Sequence, residues 1–145
     1  DHIQFLFSPD NGNKFLPLSK IASGGELSRI MLCFKVILSE KVSLPIIVLD
    51  EIDTGVSGEI AQKVGKVIHK LSMNNQVICI THLPQIACKG KTHFYVYKKS
   101  VSKNLKKSHI KQLNKKERLH ELAIMLSGDN PSSSAITNAQ ELLNT

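Results

Sequence analysis

Three carboxylates, Asp50, Glu51 and Asp53, fall within four residues at the end of the apolar run PIIVLDEID at 45–53. Carboxylates this close raise the cost of ionising one another unless a cation sits among them. A hard divalent ion such as Mg²⁺, completed by phosphate oxygens and water, suits such a cluster. The blander alternative is a solvated acidic turn after a core strand. A second cluster is Ser23, Gly24, Gly25 and Glu26, in ASGGE at 22–26. A serine followed three residues on by a glutamate has capping-box spacing, and the free N–H groups of a helix start attract anions. Each glycine costs a helix roughly 1 kcal/mol relative to alanine. Removing side chains to admit a phosphate would explain that cost, although a plain loop-to-helix cap would use similar residues. His82, in THLPQ at 81–85, follows another apolar run and is placed to hydrogen-bond a ligand held near Asp50 and Glu51. A lone histidine there can equally be structural.

The elements that must position these residues follow from periodicity. Leu27, Ile30, Met31, Phe34, Ile37 and Leu38 recur at helical spacing and predict a helix over 24–41. A strand at 45–49 follows, then a helix over 57–71 carrying Ile60, Ala61, Val64, Val67, Ile68 and Leu71 on one face, then a strand at 76–81. Helix, apolar strand, helix, apolar strand is the rhythm of a parallel sheet covered on both faces. A parallel strand's carboxyl end is where α/β sheets bind ligands, so Asp50, Glu51 and His82 are expected at one sheet edge. Upstream, a strand near 3–7, a turn at 9–13 and an extended piece at 15–18 are expected. Downstream come a short turn or helix at 84–88, a hairpin of 93–98 with 106–113, and helices over 115–126 and 133–143 joined by a loop. Asn114 and Glu117 would cap the first of these.

The 145 residues suit one domain with a real core, and their charge is uneven. Residues 89–118 hold eleven Lys/Arg against one acid, and the rest of the chain holds eight against eleven, which gives the net charge of +7. That segment reads either as a DNA-contacting surface or as a solvated hairpin, with Phe94, Tyr95 and Tyr97 expected to pack rather than stack on bases. No apolar stretch spans a membrane. Cys33, Cys79 and Cys88 lack metal-ligand spacing and read as buried, reduced thiols of a cytosolic protein. The abrupt start at Asp1 suggests a piece of a longer protein.

Taken in order, a glycine-rich helix start, a strand ending in Asp-Glu and a strand ending in His resemble the signature motif, Walker B motif and H-loop of ABC-type ATPases. The wording KIASGGELSRIMLCFK, VLDEIDTGVSGEIAQKVG, ITHLPQIA and RLHELAIMLSG is similar to the C-terminal part of the RecN family, SMC-like proteins of bacterial DNA repair. The resemblance covers essentially the whole chain. Ala22 and Glu26 replace the Leu and Gln of most ABC proteins, and Ser57 the usual D-loop Asp; all three match the RecN-like variant. No P-loop is found: Gly65-Lys66-Val67 ends in the wrong residue, with Ile60 where the first glycine belongs.

The resemblance implies an α/β fold: the C-terminal half of a P-loop NTPase head, residues 1–145, a parallel sheet with flanking helices that lacks the Walker A part. It implies ATP and Mg²⁺ as cofactors. Asp50 would hold the metal, Glu51 would orient or deprotonate water, and His82 would bond the γ-phosphate. Ser23, Gly24, Gly25 and Glu26 would face nucleotide on a second head. The implied partners are DNA, the N-terminal half of the same head and a second head, in the bacterial cytoplasm at the nucleoid, with no membrane. ATP hydrolysis is expected only with the P-loop half present, coupled to double-strand break repair and recombination. Two rivals stand beside this. Asp53-Thr54-Gly55 spells the aspartic-protease triplet, but long helices contradict that all-β fold. A non-enzymatic, basic DNA-binding module is the stronger alternative.

Overall fold

The computed structural model describes residues 3–8, 14–20, 24–42, 44–102 and 105–144. The expected 9–13 turn and the 21–23 approach to the first helix, Ser23 included, lie outside the described residues. Strands β1 (Leu6–Phe7) and β2 (Leu16–Pro17) pair antiparallel ahead of helix α1 (Gly24–Ser39). Strand β3 (Ile46–Leu49), helix α2 (Gly58–Leu71), strand β4 (Gln76–Cys79) and the short helix α3 (Pro84–Ala87) follow. A hairpin of β5 (Phe94–Ser102) and β6 (Leu105–Gln112) leads into helices α4 (Lys115–Ser127) and α5 (Ser133–Asn144).

The strands β3 and β4 pair in parallel, with Ile46 opposite Gln76 and Leu49 opposite Cys79. Alternation along β3 turns Ile47 and Leu49 inward, where they join Leu32 of α1 and Ala61, Val64, Ile68 and Leu71 of α2 in one core. The α2 residues repeat at three and four, the spacing of one helix face. Expected coverage of both sheet faces is corrected here: Ile46, Val48 and Ile78 lie 47–55% exposed on the opposite face. The buried residues of both helices join the core on the inward side, and on the other face no described strand residue is buried, although Val48 shares a cleft with Leu27 and Met31 of α1. The apolar stripe expected on α1 also differs. Leu32 and Val36 meet the core, whereas Leu27, Met31, Ile37 and Leu38 stay exposed, because α1 is apolar on more than one side.

Gly65 lies inside α2 because α3 crosses it closely; a Cβ there would stand 2.9 Å from the Gln85 carbonyl oxygen. A second core joins Cys88 to Leu122, Ala123 and Ala139 of α4 and α5. Arg118 ties α4 to the end of α3, its Nη2 donating to the carbonyls of Cys88 at 2.8 Å and Gly90 at 2.6 Å. The Asn114–Glu117 capping box forms as expected, with bonds of 3.0 and 3.1 Å. Of the expected buried thiols, Cys88 is buried and Cys79 half-buried, but Cys33 is exposed, in a shallow cleft that it lines with Phe7 of β1 and Phe34.

Candidate functional site

The register of β3 and β4 brings residues 50–53 and 80–83 to one end of the sheet, and the Ile80 N–H donates to Leu49 O at 2.8 Å. Asp50 is exposed and lines a cleft of about 260 Å³ with Ser28, Met31 and Lys35 of α1. Its carboxylate and that of Glu51 make no hydrogen bond or ion pair among the described residues. Among those residues Glu51 is also the one non-glycine at positive φ, 52°. A left-handed conformation costs an L-residue about 1–2 kcal/mol. The turn is held in it from both sides. Thr54 donates to Glu51 O through its N–H at 3.2 Å and its hydroxyl at 3.0 Å, while Ile52 and Asp53 are buried.

Asp53 is the hub. At 2% exposure its Oδ2 accepts the Thr81 hydroxyl at 2.5 Å and the His82 N–H at 2.9 Å, and lies 3.1 Å from His82 Nδ1. The Leu83 N–H donates in turn to the Thr81 hydroxyl at 3.0 Å. Burial alone would raise the Asp53 pKa. The bonds from Thr81 and His82, with the imidazole's charge, outweigh it and hold the carboxyl below its ordinary value of 3.8. The ionised carboxylate therefore anchors one imidazole nitrogen, while the His82 side chain is 73% exposed. Nδ1 taken up in this way leaves Nε2 as the nitrogen available to a ligand. Burial and the charge of Asp53 push the Cys79 thiol up to about 11.

Sequence reasoning placed Asp53 only in the carboxylate cluster and in the Asp53-Thr54-Gly55 triplet, and gave it no separate role. The available signal was a donor-rich Thr-His pair ending the neighbouring parallel strand, since a carboxylate in a buried turn needs donors. The helix start is also informative. Gly25 is buried, and a Cβ there would lie 2.3 Å from the Thr54 carbonyl oxygen. Its bareness is therefore required by packing of α1 on the 51–55 turn, which is enough to explain that glycine without any phosphate. At Gly24 no atom of the described residues beyond its own helix lies within 4 Å of a Cβ position. Glu26 is half-buried in the first turn of α1. Gly90-Lys91-Thr92 spells the last three letters of a P-loop, but Gln85 stands at the first glycine position and a strand follows, not a helix.

The fold is α/β and has a counterpart among solved structures. A chain solved in work on the ATP-driven dimerization and DNA-stimulated activation of SMC ATPases superposes with a TM-score of 0.58 at 19% identity, covering 82% of this chain and 70% of that one. No family model matches the sequence. By sequence the chain is a relative of the C-terminal part of DNA repair protein RecN. It is 43% identical to RecN of Bacillus subtilis and 46% identical to RecN of Rickettsia conorii, over 143 residues or 99% of its length in each case. It spans about a quarter of those relatives' length, 25% and 26%.

Proposed function

We propose that residues 1–145 form the C-terminal half of an ATP-hydrolysing head that works in DNA double-strand break repair and recombination. In this reading ASGGE is the signature motif, VLDEID the Walker B motif, TGVSG the D-loop and THLPQ the H-loop. The observation that carries it is the shared sheet end: two carboxylates without a partner among the described residues on one parallel strand end, and an imidazole anchored through a buried carboxylate on the next. Phosphoryl transfer needs positioned charges of this kind more than covalent chemistry.

The donor set fits Mg²⁺. Among the described residues no three His, Cys, Asp or Glu side chains converge as a metal-holding group. Mg²⁺ beside phosphates takes only one or two carboxylates and completes its shell with water and phosphate oxygen. Asp50, exposed on its cleft, would supply the protein ligand, and the ion would neutralise phosphate charge. Glu51, held outward by its left-handed turn, would orient and deprotonate the attacking water. His82 would donate from Nε2 to the γ-phosphate when doubly protonated, steadied through Nδ1 by Asp53. Ser23, Gly24, Gly25 and Glu26 would meet nucleotide held by a second head, so that closure of two heads couples ATP turnover to DNA binding. A complete head needs a P-loop, and the bare face of Ile46, Val48 and Ile78 is suited to the N-terminal half that would carry it. Among the described residues no helix is long and apolar enough to cross a membrane, and the proposed setting is the bacterial cytoplasm, at the nucleoid.

Reconstitution tests this. The chain alone is expected to hydrolyse no ATP, and mixing or fusing it with a P-loop-bearing N-terminal half is expected to restore Mg²⁺-dependent turnover. In that complete head Glu51→Gln should slow turnover by about 10²-fold or more while ATP still binds. Robust turnover by the isolated chain, or unchanged turnover in the variant, would overturn the assignment.

A further inference from the structure

The hairpin of β5 and β6 has two unlike faces. Its register sets Tyr95 opposite Lys111, Tyr97 opposite His109 and Lys99 opposite Lys107, so these six share one face. Phe94, Val96 and Lys98, with Lys106, Ser108 and Ile110, share the other. On the first face three rings form a row. Tyr95 and Tyr97 lie 5.7 Å apart at 14° between planes, and Tyr97 and His109 lie 5.4 Å apart at 21°. Contrary to the packing expected of them, the tyrosines enter neither hydrophobic core.

Beside the rings stands an electrostatic cost. Lys99 and Lys107 are both exposed and directly opposed, a like-charge cross-strand pair that destabilises a hairpin. An anion seated between them would relieve that repulsion. Lys111, at the far end of the row, is already paired with Glu117 at 2.5 Å. A row of near-parallel rings ending at two lysines with no acidic partner among the described residues combines a stacking platform with a phosphate site. Single-stranded nucleic acid offers unpaired bases and a phosphate chain to match both. A duplex keeps its bases stacked inside and would leave the rings unused.

We infer that the Tyr95–Tyr97–His109 face, with Lys99 and Lys107, binds single-stranded DNA, its bases extending the aromatic row and its backbone crossing the lysine pair. The choice of DNA over RNA rests on the repair reading above, but no ATP enters the test, so failure here and failure of the ATPase assignment are separable.

The chain contains two tyrosines and no tryptophan, so its intrinsic emission reports this face alone. Titrating the chain with unlabelled oligothymidylate at low salt should quench that emission saturably. Lys99→Gln with Lys107→Gln should weaken binding several-fold and flatten the log–log salt slope by about 0.7 per lysine. Lys98→Gln with Lys106→Gln removes the same charge from the opposite face and should leave affinity within about twofold. The first pair also removes the repulsion, so its melting temperature should not fall, and lost binding then cannot be lost folding. Equal losses from both pairs would mean attraction to net charge and would overturn the inference. So would absent quenching, or a duplex that binds as tightly as the single strand.

Discussion

The two longer sheets of this molecule are each two strands wide, and they are stabilised in opposite ways. The parallel pair of β3 and β4 buries Ile47 and Leu49 beneath α1 and α2, and Asp53 ties its two strand ends together. The antiparallel pair of β5 and β6 is about twice as long, yet β6 is exposed throughout and β5 nearly so. An isolated hairpin without a covered face is marginal in water. What supports this one is its base, where Leu113 N–H donates to His93 O at 2.9 Å and α4 begins in its capping box. The chemistry proposed above, which needs rigid charges, falls on the first sheet, and the surface proposed for an adaptable polymer falls on the second. Stability and binding should separate along the same line.

The largest break in that contrast should come from Asp53→Asn, which removes the charge accepting the Thr81 and His82 donors. Hydrogen bonds to a buried charge are worth enough that a loss of about 3 kcal/mol is expected at neutral pH. The exposed imidazole adds little to that figure. The sign of the pH dependence follows from the lowered pKa of Asp53. Its stabilisation is fully present above the ordinary value of 3.8 and is lost as pH falls through the lower folded value. Denaturant melts of both proteins should therefore converge under strong acid. A gap that stays constant from neutral pH to about pH 3 would mean the carboxylate's charge is not what joins the strands.

Next in size is a pair of substitutions at the start of α1. Gly25→Ala puts a Cβ 2.3 Å from the Thr54 carbonyl, so either α1 or the turn must move. Overpacking against backbone costs about 2 kcal/mol. Gly24→Ala meets open space and gains helix propensity, so it should be neutral or stabilising by up to about 1 kcal/mol. Thermal melting of the two variants checks this. Equal effects would show that the seat of α1 on the turn is not tight, and would return both glycines to a shared explanation.

That glycine pair also marks how far the sequence can be read. The order of helices and strands was legible because α2 repeats its apolar residues at three and four, and because PIIVLD and QVICI are too short and apolar for anything but buried strands. Asp50, Glu51 and His82 could be set at one end of the sheet from parallel topology alone. Asp53 could not be singled out, since its role depends on the one-to-one register that puts Thr81 within reach. Nor could the uncovered face of the sheet, because an apolar run looks the same whether its cover lies in the same segment or elsewhere. The hairpin was legible as a hairpin, but its two faces depended on which lysine opposes which.

The smallest expected effect tests the hairpin side of the comparison with one chemical change made twice. Val64 is 6% exposed in the core under the parallel pair, and Val96 is 65% exposed on the apolar face of the hairpin. Val→Thr swaps a methyl for a hydroxyl of similar size in both places. In α2 the change hardly alters helix propensity, and in β5 threonine is as acceptable as valine. The remaining difference is solvation. At position 64 the hydroxyl loses water and should cost about 1–3 kcal/mol. At position 96 it stays hydrated, and the cost should be under about 0.5 kcal/mol. Thermal unfolding of the two variants under identical conditions measures the ratio. If Val96→Thr costs as much as Val64→Thr, the apolar face of the hairpin is covered in solution, and the two sheets are alike after all.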